Sequence, residues 1–354
     1  VDFLSGADVK LVFAFWLGVV VLCVAVIMLL VIVGMRQAML RKQRIHDEAA
    51  RVWGAILSDV VHGTATAVPR LARADVSGFI EAWNQVHAAL PSSGPPQLRR
   101  AAEQAGAVPQ LRALLDRGGF HDRVVAIIAL GHLRDRDDFD RLVRFLHAPS
   151  AIVSLSAARA LMQVDNARAV ALFVPQIVAR LDWSQSGVAE ILREADTATV
   201  SRELGEVALQ ANAEAAPRLV RFLADISPTD AAPVIRRILQ SSHDEHLIST
   251  CLQVLEDPRD LPLVRPLLGR ERWHVRMHAA TALGRLGEKD DEWLLLPLLS
   301  DAQWWVRYRA AQALVRLFRL HSQDPESLRG GLADPYARDI LDQVLAEQRL
   351  GVER

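Results

Sequence analysis

Residues 267–287 read LLGRERWHVRMHAATALGRLG, and residues 298–318 read LLSDAQWWVRYRAAQALVRLF. They are two copies of one unit. Trp273 matches Trp304, Val275 matches Val306, Arg276 matches Arg307, the pair Ala279–Ala280 matches Ala310–Ala311, and Leu283 matches Leu314, at a constant offset of 31 residues. Self-similarity at that period marks a solenoid, in which each unit buries its apolar faces against its neighbours. From Leu314 the register runs back through Leu283, Leu252, Leu223, Leu192, Leu161 and Leu130. Three residues after each anchor, one turn along the same helix face, stand Leu317, Leu286, Leu255, Ile226, Ala195, Val164 and Leu133. About fifteen residues before each anchor lies a second apolar pair, from Leu114–Leu115 to Leu298–Leu299, with polar, Gly, Pro or Asp residues between. Two apolar stripes per unit predict one helix pair per repeat, hence an all-α solenoid of about seven pairs.

The pattern carried by Leu298, Leu299, Asp301, Val306, Arg307, Ala310, Ala311, Ala313 and Leu314 resembles the HEAT-type repeat in its short bacterial form. The copy from Leu267 to Leu286 has Arg270 where the acid is expected, and the copy from His147 to Val164 keeps Ala157, Ala158, Ala160 and Leu161 but has Ser154 in place of the arginine. Units between Arg168 and Ile226 depart further. The resemblance spans roughly residues 96–320 and implies a protein-binding scaffold. It leaves a bilin-lyase-type enzyme or ligand binder on the concave face as the alternative, since fold alone does not assign function.

Ahead of the repeats, Leu11 to Gly34 reads LVFAFWLGVVVLCVAVIMLLVIVG, 24 residues without a charge. As a helix it would be about 36 Å long, against a hydrocarbon core of about 30 Å. Its length exceeds the apolar core of a signal peptide, and no small-residue cleavage site follows at Met35–Ala38. A transmembrane helix is the expectation. Arg36, Arg41, Lys42 and Arg44 follow the span and only Lys10 precedes it. The excess of positive charge predicts an N-terminus outside and a cytoplasmic C-terminal part, at a bacterial inner membrane. Ala14 and Gly18 form a small-xxx-small pair suited to a helix–helix contact within the bilayer.

The expected organisation is then a short N-terminus over 1–10, the span over 11–34, a juxtamembrane helical cap over 35–95 closed by the break at Pro91–Pro96, the repeats over 96–320, and a C-terminal cap over 321–354. In that last cap Ile340, Leu341, Val344 and Leu345 supply an apolar face, and 351–354 should fray.

Chemistry is sparse. Lys and Arg total 41 against 42 Asp and Glu, a formal charge of −1, which argues against a nucleic-acid partner. Only Lys10, Lys42 and Lys289 are lysine, a bias that a GC-rich genome produces. Cys23 and Cys251 imply no disulfide framework. No phosphate-binding loop, GxGxxG or GxSxG is present. His274 and His278 are four apart but lack the glutamate of the zinc-protease pattern, and no His-Glu dipeptide suggests a di-iron site. No cofactor, metal, catalytic residue or small-molecule substrate is assigned. The charge run Arg134–Arg144 reads as a solvated inter-repeat loop. The residues singled out for partner binding are Trp273, Arg276, Trp304, Trp305 and Arg307, with Trp293 nearby, because tryptophan and arginine on the edge of a repeat array are what binding hot spots use. The competing reading makes the arginine ladder structural, pairing with Asp301. The expected function is a membrane-anchored scaffold binding a protein partner, as an accessory subunit of an inner-membrane complex such as envelope polysaccharide synthesis or secretion.

Overall fold

The computed structural model describes residues 5–65, 67–90, 96–321 and 323–351, with side chains from residue 13 onward. The break at Pro91–Pro95 and the tail at 352–354 lie outside the described residues, as do residues 1–4. Among the described residues every regular element is helical. The chain forms two compact units, Val1–Leu142 and Val143–Arg354, with the division inside one short helix.

The first unit begins with α1, Ser5–His62, a single helix of 58 residues. No proline interrupts it, and it ends where glycine permits a left-handed residue. Gly63 has φ +73°, its N–H donates to Val60 O (3.2 Å), and the Thr64 N–H donates to Asp59 O (2.9 Å). This doubly bonded turn satisfies the last carbonyls of the helix. The far half of α1 packs on α2 (Val76–Ala89), where Trp53, Leu57, Phe79, Ile80 and Trp83 are buried. Trp53 meets Phe79 edge-on at 5.0 Å, and Phe79 stacks on Trp83 at 5.9 Å. A β-carbon on Gly78 would lie 2.6 Å from the Ala50 backbone nitrogen and 2.7 Å from His46 O, so only glycine allows this crossing. Three further helices, α3 (Pro96–Ala105), α4 (Ala107–Arg117) and α5 (Phe120–Leu133), complete the unit. The Trp83 Nε1–H donates to Ala129 O on α5 at 3.3 Å.

From α4 onward the helices alternate in pairs: α4 with α5, α6 (Phe139–Leu146) with α7 (Ala151–Val164), α8 (Asn166–Ala179) with α9 (Gln185–Arg193), α10 (Thr197–Gln210) with α11 (Ala216–Ile226), and α12 (Pro228–Ser241) with α13 (Glu245–Val254). Two more pairs follow, α14 (Leu261–Val264) with α15 (Trp273–Leu286) and α16 (Glu292–Leu295) with α17 (Trp304–Leu320). The seven anchor leucines fall on the second helix of each pair, and every one is at most 1% exposed. Within the second unit first helices pack on first helices (α8 on α10, α10 on α12), and second helices on second helices (α11 on α13, α13 on α15, α15 on α17). This is the repeat solenoid expected from the 31-residue register. A fully buried leucine contributes about 1.5–3 kcal/mol, so the anchors are a main source of cohesion. The alanines beside them keep the helices close. Gly284 is the tightest point, since a β-carbon there would stand 2.5 Å from Ala313 Cα.

In the last two pairs the first helix is short and continues as a 3-10 turn, Arg265–Gly269 after α14 and Leu296–Ser300 after α16. Pro266 and Pro297 sit just inside these turns. A proline lacks the N–H for an i−4 bond and clashes with that carbonyl, which ends the α-helix there. The C-terminal α18 (Pro335–Arg349) packs on α17 through Ile340, Leu341, Val344 and Leu345, all buried.

The charge run at Arg134–Arg144 departs from its expected solvated state. Asp138 is fully buried and Arg112 holds it with two bonds, Nε to Oδ1 at 2.7 Å and Nη2 to Oδ2 at 3.0 Å, with Nη2 also 3.3 Å from Asp135. Arg236 holds buried Asp260 and Asp257 in the same way, and Arg265 holds buried Asp291 (2.6 Å) and Glu288 (3.3 Å). A fork of guanidinium donors meets the carboxylate pair geometrically, which is why arginine stands there.

Two outcomes follow from this packing. Gly284→Val forces α15 away from α17 and should lower stability by about 1–3 kcal/mol, read as a lower Tm by circular dichroism; an unchanged Tm would show that the crossing has slack. In the first unit, burial lowers the His87 pKa from 6.5 to about 4, with Arg134 adding to the effect, and its ring stacks on His132 at 4.7 Å. The folded pKa lies below the unfolded one, so this contribution is complete above pH 6.5 and falls as pH drops toward 4. Tm measured from pH 7.5 to 5 should decline less steeply in His87→Phe than in the parent chain; identical slopes would remove His87 from the account.

Candidate functional site

Each candidate partner-binding residue lies at the start of a second helix. Trp273 is the first residue of α15 and Trp304 the first of α17, so the 31-residue register places the two rings at equivalent points of consecutive repeats. They are 38% and 40% exposed, with Trp305 at 50% and Trp293, on α16, at 65%. Trp304 stacks nearly parallel on Tyr308 at 5.0 Å, and Trp305 meets Trp304 edge-on at 4.7 Å. The Tyr308 hydroxyl donates to Glu347 Oε2 on α18 at 2.7 Å. The aromatic group is therefore braced from below while its outer faces remain open. Contrast Trp183, only 2% exposed, whose Nε1–H donates to Ser154 Oγ at 2.8 Å and whose ring stacks on Phe173. That tryptophan fills an inter-helix gap. The tryptophans at 273, 304 and 305 keep large apolar area in contact with solvent.

The two arginines are engaged inside the array. Arg276 donates through Nε and Nη2 to both oxygens of Asp301 (2.7 and 2.8 Å) and through Nη1 to the carbonyls of Arg270 (2.8 Å) and Glu271 (2.6 Å). Arg307 repeats the inner half of this pattern, donating to Asp301 O at 2.7 Å, with its guanidinium 5.9 Å from the Tyr336 ring. Arginine at this position thus closes the turn that precedes its own helix, and Arg276 also ties its repeat to the next. Burial of Asp301 opposes its ionisation, but the hydrogen bonds from Arg276 and from the Gln303 N–H outweigh it and hold the carboxyl below its usual range. In the repeat that carries Ser154 instead, the carbonyl six residues earlier, Ala148 O, receives Nη1 of Arg180 at 2.8 Å. A residue from the following loop replaces the missing arginine.

Other candidates are placed more simply. His274 lies 3.9 Å from Glu245, and His278 Nε2 is 3.0 Å from Gln253 Nε2. No group of three or more His, Cys, Asp or Glu side chains gathers around a possible metal position among the described residues. Cys251 is buried beside anchor Leu252, and desolvation pushes its thiol up to about 12, so it is held protonated. In α1, Ala14, Gly18, Gly34, Arg36, Arg41, Lys42 and Arg44 are exposed, while the Leu11 side chain lies outside the described ones. The apolar stretch of α1 is long enough to cross a membrane and none of its most apolar window is buried by protein.

Comparison with known proteins bears on the repeats. Residues 250–315, from α13 into α17, match the family described as HEAT repeats. Among solved structures the chain is similar to an engineered protein, at 17% identity over 87% of this chain and 95% of that one with a TM-score of 0.35. It is also similar to Kap121p, at 12% identity over 84% of this chain and 41% of that one with a TM-score of 0.46. A third is human deoxyhypusine hydroxylase in complex with glycerol, at 17% identity over 80% and 99% with a TM-score of 0.31. The chain thus spans about two fifths of the length of Kap121p. At these identities and scores the likenesses bear on no functional conclusion. No curated protein matches the chain in sequence.

The Arg276–Asp301 pair invites a direct measurement. Arg276→Ala leaves a carboxylate that is 8% exposed without its main partner, which should cost about 3 kcal/mol. A double-mutant cycle with Asp301→Ala should return a coupling above about 1 kcal/mol. Additive single effects would show that the two residues act independently.

Proposed function

We propose that this chain is a non-enzymatic, membrane-anchored scaffold whose repeats bind a protein partner through the aromatic edge at Trp273, Trp304 and Trp305. The observation that carries the reading is the repetition of a solvent-facing tryptophan at the same point of consecutive helix pairs, each on a rigid helix start. Large rings lose little conformational freedom on binding and dominate the energetics of protein interfaces. In this reading Arg276 and Arg307 act on the partner indirectly, by fixing the turns that aim the rings.

The anchoring part rests on α1. Its uncovered apolar side chains, Phe13, Trp16, Leu22 and Leu30 among them, have no protein surface to bury against, and a bilayer is the medium that would cover them. A core helix would be enclosed. A cleaved leader would not continue into a helix whose far half carries buried Trp53 and Leu57. With Arg36, Arg41, Lys42 and Arg44 after the span, the repeats stand in the cytoplasm and the N-terminus outside. Ala14 and Gly18 offer a close-packing face to another membrane helix. The segmentation into 1–10, 11–34, 35–95, 96–320 and 321–354 belongs to this reading, as does the role of accessory subunit in a bacterial inner-membrane complex for envelope polysaccharide synthesis or secretion.

Affinity purification of the full-length protein in mild detergent from its own host tests both parts. One protein should co-purify in near-stoichiometric amount from the membrane fraction. Trp273→Ala combined with Trp304→Ala and Trp305→Ala should reduce its recovery at least about tenfold with no change in helicity or Tm. Recovery of the chain alone, or equal recovery with the triple variant, overturns the aromatic edge. Release of the chain into the soluble fraction overturns the anchor.

A further inference from the structure

A second surface of the repeats has a chemistry the aromatic edge does not share. Along the second helices of the last pairs, an open cleft of about 770 Å³ runs between α15, α17 and α18. Arg309, Arg316 and Arg319 line it, together with Thr281, Gln312 and Glu347. None of these three arginines forms an ion pair among the described residues; Arg309 donates only to Gln312 Oε1 (2.9 Å). Elsewhere in the repeats arginines are matched to acids, as at Arg236, Arg265 and Arg276. The one carboxylate in the cleft is already bonded, Glu347 Oε2 to the Tyr308 hydroxyl and Oε1 to the Gln343 amide (3.0 Å).

The positive field extends beyond the cleft. His278, on α15, is held near pKa 4 first by burial and then by the charges of His274, Arg309 and Arg221. Among the described residues Arg221 donates to Thr250 and Gln253 alone, both at 3.4 Å. Arg285 is lowered by burial and further by the neighbouring Arg316, with Glu256 opposing, and its donors go to the carbonyls of Leu252, Gln253 and Leu255. Like charges that outnumber the carboxylates along a groove store repulsion, which an anion relieves on binding.

We infer that this cleft receives an acidic polypeptide segment, rich in Asp and Glu, from the protein partner. The inference rests on the proposal that the repeats bind a protein, and it adds where a charged part of that partner sits. A polypeptide fits better than a nucleic acid. The cleft exposes no aromatic ring on which a base would stack, and Ala313, Leu320 and Val344 supply apolar wall for side chains interspersed with the acids. The hydroxyl of Thr281 and the amide of Gln312 can bond an extended main chain. Arginine forks are suited to carboxylates, which they can take two bonds at a time.

The test uses the full-length protein in detergent and a fluorescein-labelled, Glu/Asp-rich peptide of about twelve residues, followed by fluorescence anisotropy. A Gln/Asn version of the peptide and a single-stranded DNA of equal charge are run in parallel. The acidic peptide should bind, weaken with added salt, and exceed the Gln/Asn peptide by at least about tenfold. Arg309→Gln with Arg316→Gln should lose about tenfold at unchanged Tm. Absence of acidic-peptide binding, equal affinity in the double arginine variant, or tighter binding of the DNA each overturns the assignment. Co-purification of a partner in the native host separates the two readings. A partner that is lost with the tryptophan variants but retained at full level by Arg309→Gln with Arg316→Gln leaves the scaffold standing and removes the cleft.

Discussion

A helix pair of about thirty residues cannot hide both of its apolar faces by itself, and everything in the repeats follows from that constraint. The anchor leucines from Leu161 to Leu283 are buried because the next pair covers them. The alanines and Gly284 around them are small because covering them requires the helices to touch at their backbones. Such an arrangement has no single centre. Its cohesion is a chain of similar interfaces, and each end must be finished by something other than a repeat. In the second unit that finish is α18, which lays four buried apolar side chains on α17.

Leucines set how deep the pairs pack, but they are indifferent to sliding. Polar ties remove that freedom. At each boundary a short acid or serine begins the next pair: Asp135, Asp165, Asp196, Ser227, Asp257 and Glu288 all cap the following turn with their side chains. In three of them a second acid three residues later is buried and gripped by an arginine from the preceding first helix. Breaking such a pair is costly because the remaining charge has no water to turn to. Direction-dependent bonds of this kind specify one stacking register, where apolar contact alone would tolerate several. The cost of proline in these helices is offset locally, since the 3-10 turns at Pro266 and Pro297 place Leu267, Leu268, Leu298 and Leu299 back in the core.

Much of this was legible in the sequence and some was not, for definable reasons. Apolar periodicity is a strong signal, and the seven anchors read from Leu130 to Leu314 are the buried leucines of the second helices, including those in the divergent units around Leu192 and Leu223. The buried acids were invisible to the same reasoning. Asp138 sits in a run of alternating charges that composition alone assigns to solvent; its burial depends on Arg112, more than twenty residues away. The signal that would have found it is the recurrence of acid-x-x-acid at the repeat period, at Asp135–Asp138, Asp257–Asp260 and Glu288–Asp291. For the edge, sequence located the tryptophans at the helix starts but could not separate Trp183, which fills a gap, from Trp273 and Trp304, which do not. That distinction lies in whether a side chain such as Ser154 stands opposite to accept the indole N–H.

A balanced total charge conceals an unbalanced distribution. Of the 41 basic and 42 acidic residues, many acids are consumed at the repeat boundaries, as caps or as buried partners of first-helix arginines. The arginines on the second helices near the C-terminal end are left to face solvent together. The near-neutral sum that argues against a nucleic-acid protein is therefore compatible with a locally cationic groove. The same bookkeeping explains why the arginines at Arg276 and Arg307 look like hot-spot residues in sequence and behave as turn closures in the fold: their donors are spent on Asp301 and on backbone carbonyls, whereas those of Arg316 and Arg319 are not. In a repeat array the position of a residue within the unit, rather than its type, decides whether it builds the stack or meets a partner. Here the stack is built on the turn side by matched charges, and its open aromatic and cationic surfaces are what remains once that matching is complete.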